Sequence, residues 1–382
     1  MPADNLPEAQ SRLIDDEPSQ SVKVSVLSSE KLASRRRWRH LSDKTAKVSI
    51  AVGGISVIVA ILLIFAYLFY EVVPLFAGAK VEEAASYDLQ DSSESLHLAI
   101  EEQSEMAMRL GDDGVARFFD LESGENAATI AVKVPSGATI TSFALDSEQS
   151  GLFALGINTG EAVVARYAYD TRFAQLDNRR ILTPKIDYPF GEIPYTLAVD
   201  KPLASIALRT SGENMMLAAT ARGGELSLLK ASKQTSLFAA FDLGGGAEFE
   251  IEERRLSGMT LGGEQLFIDG DRFWLFVIDD EGLARLLSLR TAFTAPNPQF
   301  EVQALLTEGR ANPTDISFLL GGISLLVGDD QGAISQWFLT KRDDTVALEK
   351  IRSFQDSASP VVSLSPEQRR KSFVSVDAQG VV

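Results

Sequence analysis

MAMRLGDDGVARFFDL (106–121) and SLLVGDDQGAISQWFL (324–339) lie far apart in the chain and share one design. Each is an apolar run, a short turn opened by Asp and closed by Gly, and a second alternating run. Asp favours the turn itself, and Gly supplies the positive φ that a tight hairpin needs. The flanking Val, Leu, Phe and Trp suit strands. The same unit recurs as GLFALGINTGEAVVARY (151–167), MMLAATARGGELSLLK (215–230), FWLFVIDDEGLARLLSL (273–289) and SFVSVDAQGVV (372–382).

The turn glycines Gly114, Gly160, Gly224, Gly282, Gly332 and Gly380 are spaced 46, 64, 58, 50 and 48 residues apart. A further strand precedes several hairpins: TITSFALD (139–146), LASIALR (203–209), TDISFLL (314–320) and VVSLSP (361–366). With a fourth strand after each hairpin, the period is that of a β-propeller blade. The predicted fold class is therefore all-β, a WD40-like β-propeller over residues 96–382. The His and Trp-Asp signature of WD40 repeats is missing. A β-sandwich with long hairpins would not give six units at a near-constant period. The chain stops at Gly380-Val381-Val382, within a hairpin, so the propeller is expected to be incomplete at the C-terminus and the natural protein to continue.

Ahead of the repeats, VSIAVGGISVIVAILLIFAYLFY (48–70) runs for 23 residues without a charge. At about 1.5 Å per residue this spans a hydrocarbon core of roughly 30 Å. It predicts one transmembrane helix, too long for the apolar part of a cleaved signal peptide. Residues 31–47 carry seven Lys/Arg against one acid. Of these, Arg35, Arg36, Arg37, Arg39, Lys44 and Lys47 form a topogenic basic flank, which keeps the N-terminus cytoplasmic. Residues 1–30 read as a disordered cytoplasmic tail, 31–47 as a basic juxtamembrane segment and 71–95 as a linker to a translocated domain. Ser49, Gly53, Ser56 and Ala60 share one helical face, a candidate surface for another helix to pack on.

Composition limits the chemistry. There is no cysteine and there are only two histidines, His40 and His97. Disulfides, thiolate metal sites and a Ser-His-Asp site are excluded or disfavoured. From residue 80 onward 27 basic residues stand against 45 acidic ones, a net of −18 that disfavours nucleic acid as a partner. Gly244-Gly245-Gly246 lacks the Lys-Ser/Thr of a phosphate-binding loop. The carboxylate pairs Asp112-Asp113, Asp279-Asp280 and Asp329-Asp330 sit where turns need them. No catalytic residue, metal site or cofactor is expected, and the chain does not read as an enzyme.

The block RRRWRHLSDKTAKVSIAVGGISVIVAILLIFAYLFYEVVPLFAGAKV (35–81) resembles the N-terminal segment of PstC-like phosphate ABC transporter permeases of Pseudomonas-type proteobacteria. The resemblance rests on the basic run ending in Asp43-Lys44, the Gly53-Gly54 pair, the aromatic end of the span and the Pro74-Leu75-Phe76-Ala77-Gly78-Ala79 stretch. It implies the first span and periplasmic domain of a phosphate importer subunit in a bacterial inner (plasma) membrane. Implied partners are other permease and ATPase subunits and a periplasmic phosphate-binding protein. The alternative expectation is a single-pass, membrane-anchored periplasmic propeller serving as a protein-interaction scaffold.

Overall fold

Leu152-Phe153-Ala154-Leu155-Gly156-Ile157 has no polar side, and in a strand successive side chains point to opposite faces. Such a strand needs cover on both faces, and the fold is a repeated answer to that demand. The computed structural model describes residues 29–76, 86–87, 92–175, 180–234, 249–261, 264–342, 345–355, 358–367 and 369–382. Met1–Val81 and Glu82–Val382 form two compact units.

The first unit holds one long helix, α1 (Ser29–Val72). It covers both the basic segment and the apolar stretch, whereas the sequence suggested two separate elements. Within its Leu41–Val72 part an 18-residue stretch reaches a mean hydropathy of 2.8, and this part is long and apolar enough to cross a membrane. Apolar side chains are exposed all round it, Ile50 at 75% and Phe65 at 72% among them. An unburied helix that is apolar on every side is suited to lipid. The Thr45 hydroxyl donates to the Leu41 carbonyl at 2.6 Å and the Ser56 hydroxyl to Gly53 at 2.8 Å, so both are satisfied within the helix. Pro74 lies in the 3₁₀ turn Val73–Phe76 that ends it. The tail expected at 1–30 lies, up to residue 28, outside the described residues, as does most of the expected linker.

The second unit is a series of antiparallel sheets in sequence order. The first comprises β1 (Ser95–Ile100), β2 (Met106–Gly111), β3 (Val115–Asp120) and β4 (Asn126–Ala131). In the second, β5 (Ile140–Leu145), β6 (Leu152–Ile157), β7 (Glu161–Phe173) and β8 (Arg180–Asp187) are joined by a short β9 (Tyr195–Thr196) paired to β7. The third has β10 (Leu203–Ser211), β11 (Asn214–Ala221), β12 (Gly224–Lys233) and β13 (Phe249–Leu261). The fourth has β14 (Gln265–Ile268), β15 (Trp274–Ile278), β16 (Leu283–Ser288) and β17 (Val302–Leu305), with the short helix α2 (Leu289–Thr294) before β17. The fifth has β18 (Pro313–Phe318), β19 (Ser324–Asp329), β20 (Ala333–Arg342) and β21 (Thr345–Gln355), and a hairpin of β22 (Val361–Pro366) and β23 (Phe373–Asp377) makes the sixth. Successive four-stranded antiparallel sheets stacked in this way are the blades of a β-propeller.

The core lies between the blades, in five apolar clusters, one at each junction of consecutive sheets. The second strand of a blade feeds two of them. Phe153 and Leu155 of β6 pack towards the first sheet, while Leu152 and Ala154 pack towards the third. On β15, Leu275 and Val277 face back and Phe276 and Ile278 face forward. Polar bonds pin neighbouring blades as well. The Asp146 carboxylate accepts the Thr210 N–H at 2.7 Å and its hydroxyl at 2.9 Å. Asp315 accepts the Leu364 N–H at 2.6 Å, and Gly270 donates to the Gly322 carbonyl at 2.7 Å. Arg369, in the loop between β22 and β23, pairs with Glu102 of the first sheet, so the series of blades returns to its start.

Five of the six turn glycines have positive φ: Gly114 (74°), Gly160 (89°), Gly282 (81°), Gly332 (85°) and Gly380 (76°). At the third hairpin the expectation needs correcting, because the left-handed residue is Gly223 (58°) and Gly224 opens β12. Of two adjacent glycines the chain used the first for the turn, which sequence could not decide. The turn at Gly160 is packed as well as bent, since a Cβ there would lie 2.3 Å from the Ala198 carbonyl oxygen. At Gly380 it would meet nothing within 4 Å. Gly380→Ala should therefore cost only the left-handed conformation, about 1–2 kcal/mol. Gly160→Ala should cost clearly more, read as a larger drop in the urea unfolding midpoint, and equal losses would contradict the packing at Ala198.

Candidate functional site

β7 is longer than its blade. β6 covers it only as far as Arg166, and the last backbone bond between the two runs from the Tyr167 N–H to the Gly151 carbonyl at 3.0 Å. Beyond that point β7 pairs with β8 alone, in unbroken register from Arg166–Asp187 to Phe173–Arg180. The result is a two-stranded ribbon projecting past the second blade. At its foot is a cleft of about 530 Å³. Its walls are the β1–β2 loop (Glu101, Glu102), the β5–β6 loop (Glu148 to Gly151), the ribbon (Tyr167, Tyr169, Arg180) and Arg369.

Most charges in the cleft are already matched. Arg180 reaches from β8 to Glu101, whose side chain is only 5% exposed, and also sits 3.2 Å from Glu105. Glu101 further accepts the Gln103 N–H at 2.9 Å. The hydrogen bond from Arg180 outweighs burial and holds the Glu101 carboxyl below its ordinary pKa. Arg166 makes a two-pronged pair with Asp187 at 2.8 and 2.9 Å. Glu148 differs. It accepts the Tyr167 hydroxyl at 3.2 Å and stands 3.6 Å from His97 Nε2, with no Lys or Arg beside it among the described residues. His97 itself is packed between the Phe143 and Tyr167 rings, 5.5 and 5.8 Å away. Burial raises the pKa of both Tyr167 and Tyr169, so both remain phenols. Tyr169 presses edge-on against Phe118, and its buried hydroxyl has no hydrogen-bond partner. Paired charges, neutral phenols and a mouth open to solvent suit recognition of a ligand better than bond making.

The residues singled out from sequence lie elsewhere. Arg35, Arg36, Arg37, Arg39, Lys44 and Lys47 all fall on α1, and Lys44 and Lys47 are exposed. Ser49, Gly53, Ser56 and Ala60 are exposed on the same helix, and a Cβ on Gly53 would touch nothing. The carboxylate pairs serve their turns. Asp279 accepts the Leu283 N–H at 2.8 Å, and Asp329 accepts the Gln331 and Ala333 N–H groups at 3.0 and 2.8 Å. Asp113 accepts the Val115 N–H at 3.1 Å. Gly244-Gly245-Gly246 lies outside the described residues. Sequence reasoning missed Glu101, Glu148, Tyr167, Tyr169, Arg180 and Arg369. The available signal was ARYAYDTRF (165–173), an alternating run that outlasts the hairpin it belongs to.

No family model and no curated protein matches the chain. Among solved structures it is similar to the β-propeller domain of Myceliophteria thermophila Cps50 (Swd1), at 13% identity and a TM-score of 0.39, over 70% of this chain and 74% of that one. Chaetomium thermophilum Raptor is similar at 12% identity and a TM-score of 0.44, over 76% of this chain. The chain spans about a quarter (24%) of Raptor. Likeness at this level adds nothing beyond the fold, which the sheet order already gives. The expectation of a phosphate importer permease is corrected: both of these similar structures are β-propeller proteins, and neither is described as a transporter. The resemblance rested on a basic flank, an apolar span and an aromatic belt. Basic flanks, apolar spans and aromatic belts are common to membrane-spanning helices in general, so they do not single out a transporter.

Removing Arg180 should expose the acid dependence of the cleft. A carboxyl with a lowered native pKa stabilises the fold above its unfolded pKa, and that contribution is lost as pH falls through the native value. In Arg180→Met only burial and weaker bonds act on Glu101, so its pKa rises. Acid unfolding, followed by thermal melts between pH 7 and pH 3, should begin at higher pH in Arg180→Met. An unchanged profile would mean the pair contributes nothing.

Proposed function

We propose that this chain is a single-pass, membrane-anchored β-propeller that acts as a protein-interaction scaffold and not as an enzyme. The observation that carries it is a polar recognition cleft on a propeller whose chain also has a helix able to cross a membrane. The basic flank before the span favours a cytoplasmic N-terminus, with the propeller on the other side of a bacterial inner membrane. The small-residue face of Ser49, Gly53, Ser56 and Ala60 would let the span pack on another helix of the assembly.

The absence of cysteine makes orientation directly measurable. Ser211→Cys, at an exposed strand end, should react with a membrane-impermeant maleimide in intact spheroplasts, and Ser19→Cys only after permeabilisation. The reverse pattern would overturn the orientation. Cross-linking on intact membranes, followed by purification of the full chain, should recover a partner protein at fixed stoichiometry. Recovery of the chain alone would overturn the scaffold role.

A further inference from the structure

The ribbon leaves a strand edge open beside the cleft. In an antiparallel strand the N–H and C=O of one residue point to the same side, and the side alternates along the chain. Tyr167 turns its N–H towards β6, where it meets Gly151. The register with β8 continues without a bulge to Phe173. Tyr169, Thr171 and Phe173 must therefore present their backbone groups to the same side as Tyr167, where β6 has already ended. Among the described residues no strand pairs with this stretch of the β7 edge, and no turn bonds to it. Tyr169 and Thr171 line the cleft, and Phe173 is 61% exposed at the far end of β7.

We propose that this edge, at residues 169–173, binds an extended peptide of a partner protein by strand addition, with a Lys or Arg side chain of the peptide entering the cleft. The proposal rests on the scaffold reading and names its docking element. An unpaired edge supplies a row of donors and acceptors for an added strand. Side chains on one face of that strand point into the cleft at two-residue intervals. Charge sets the preference. Glu148 is the acid of the cleft without a Lys or Arg of its own among the described residues, and the chain from residue 80 onward carries a net −18 that attracts a basic segment. The exposed pair of Glu102 and Arg369, 69% and 64% exposed, lies at the mouth and can exchange partners with an incoming side chain.

The test uses the full chain in lipid nanodiscs, panned against displayed random twelve-residue peptides. Binders should share one Lys or Arg flanked by alternating β-branched residues. Bound peptide should slow hydrogen exchange at the amides of residues 169, 171 and 173. Thr171→Pro removes a donor that faces the cleft, not β8, and should weaken binding at least ten-fold. Glu148→Gln, which keeps the shape of the side chain, should weaken lysine-containing peptides about three-fold or more. A library that yields no binder, or binders that leave these amides unprotected and bind Thr171→Pro as well as the wild type, would overturn the proposal. Recovery of the cross-linked partner by the Thr171→Pro chain separates the two failures, because the scaffold role would then stand and only this edge would fall.

Discussion

The second strand of the second to fifth blades is buried on both faces, and the rest of the domain follows from that. β6, β11, β15 and β19 are almost wholly buried. A sheet built on such a strand cannot end at a solvated face, so it requires a sheet before it and another after it. The five clusters are accordingly placed between blades, and no blade has a core of its own. Stability is shared in the manner of a repeat protein, where each unit is held by its neighbours. The outer strands take less part in this burial, as the half-exposed β4 shows.

Polar groups at the junctions reinforce that order. Asp146 and Asp315 are largely buried carboxylates, and each accepts a backbone N–H from the next blade. Asp315 shows the cost, because burial raises its pKa although Leu364 and Ile316 both donate to it. Charged groups in the cleft follow the same rule with side chains as partners. Arg180 compensates Glu101 across two blades, so the cleft is also part of what holds the first blade to the second.

The repeat was legible because turns and alternation are local. Gly114, Gly160, Gly282, Gly332 and Gly380 could be placed from sequence, since no other residue enters a left-handed turn as cheaply. Blade junctions were partly legible too, from runs such as Leu152–Ile157 that are apolar at both parities. The cleft was not legible. Arg180 and Glu101 are far apart in sequence and meet only because β8 passes the β1–β2 loop, and Arg369 arrives from the other end of the domain. Nothing in a local window records such meetings. The phosphate permease expectation failed for the opposite reason, because its residues were local but generic to membrane anchors.

The helix of the first unit has a mechanical consequence. Its 44 residues, Ser29 to Val72, form one hydrogen-bonded rod of about 66 Å, roughly twice the thickness of a hydrocarbon core. There is no swivel between its basic and apolar parts. The basic stretch around Lys44 and Lys47 and the apolar stretch that ends near Tyr70 therefore share one axis, so a tilt of either part carries the other with it.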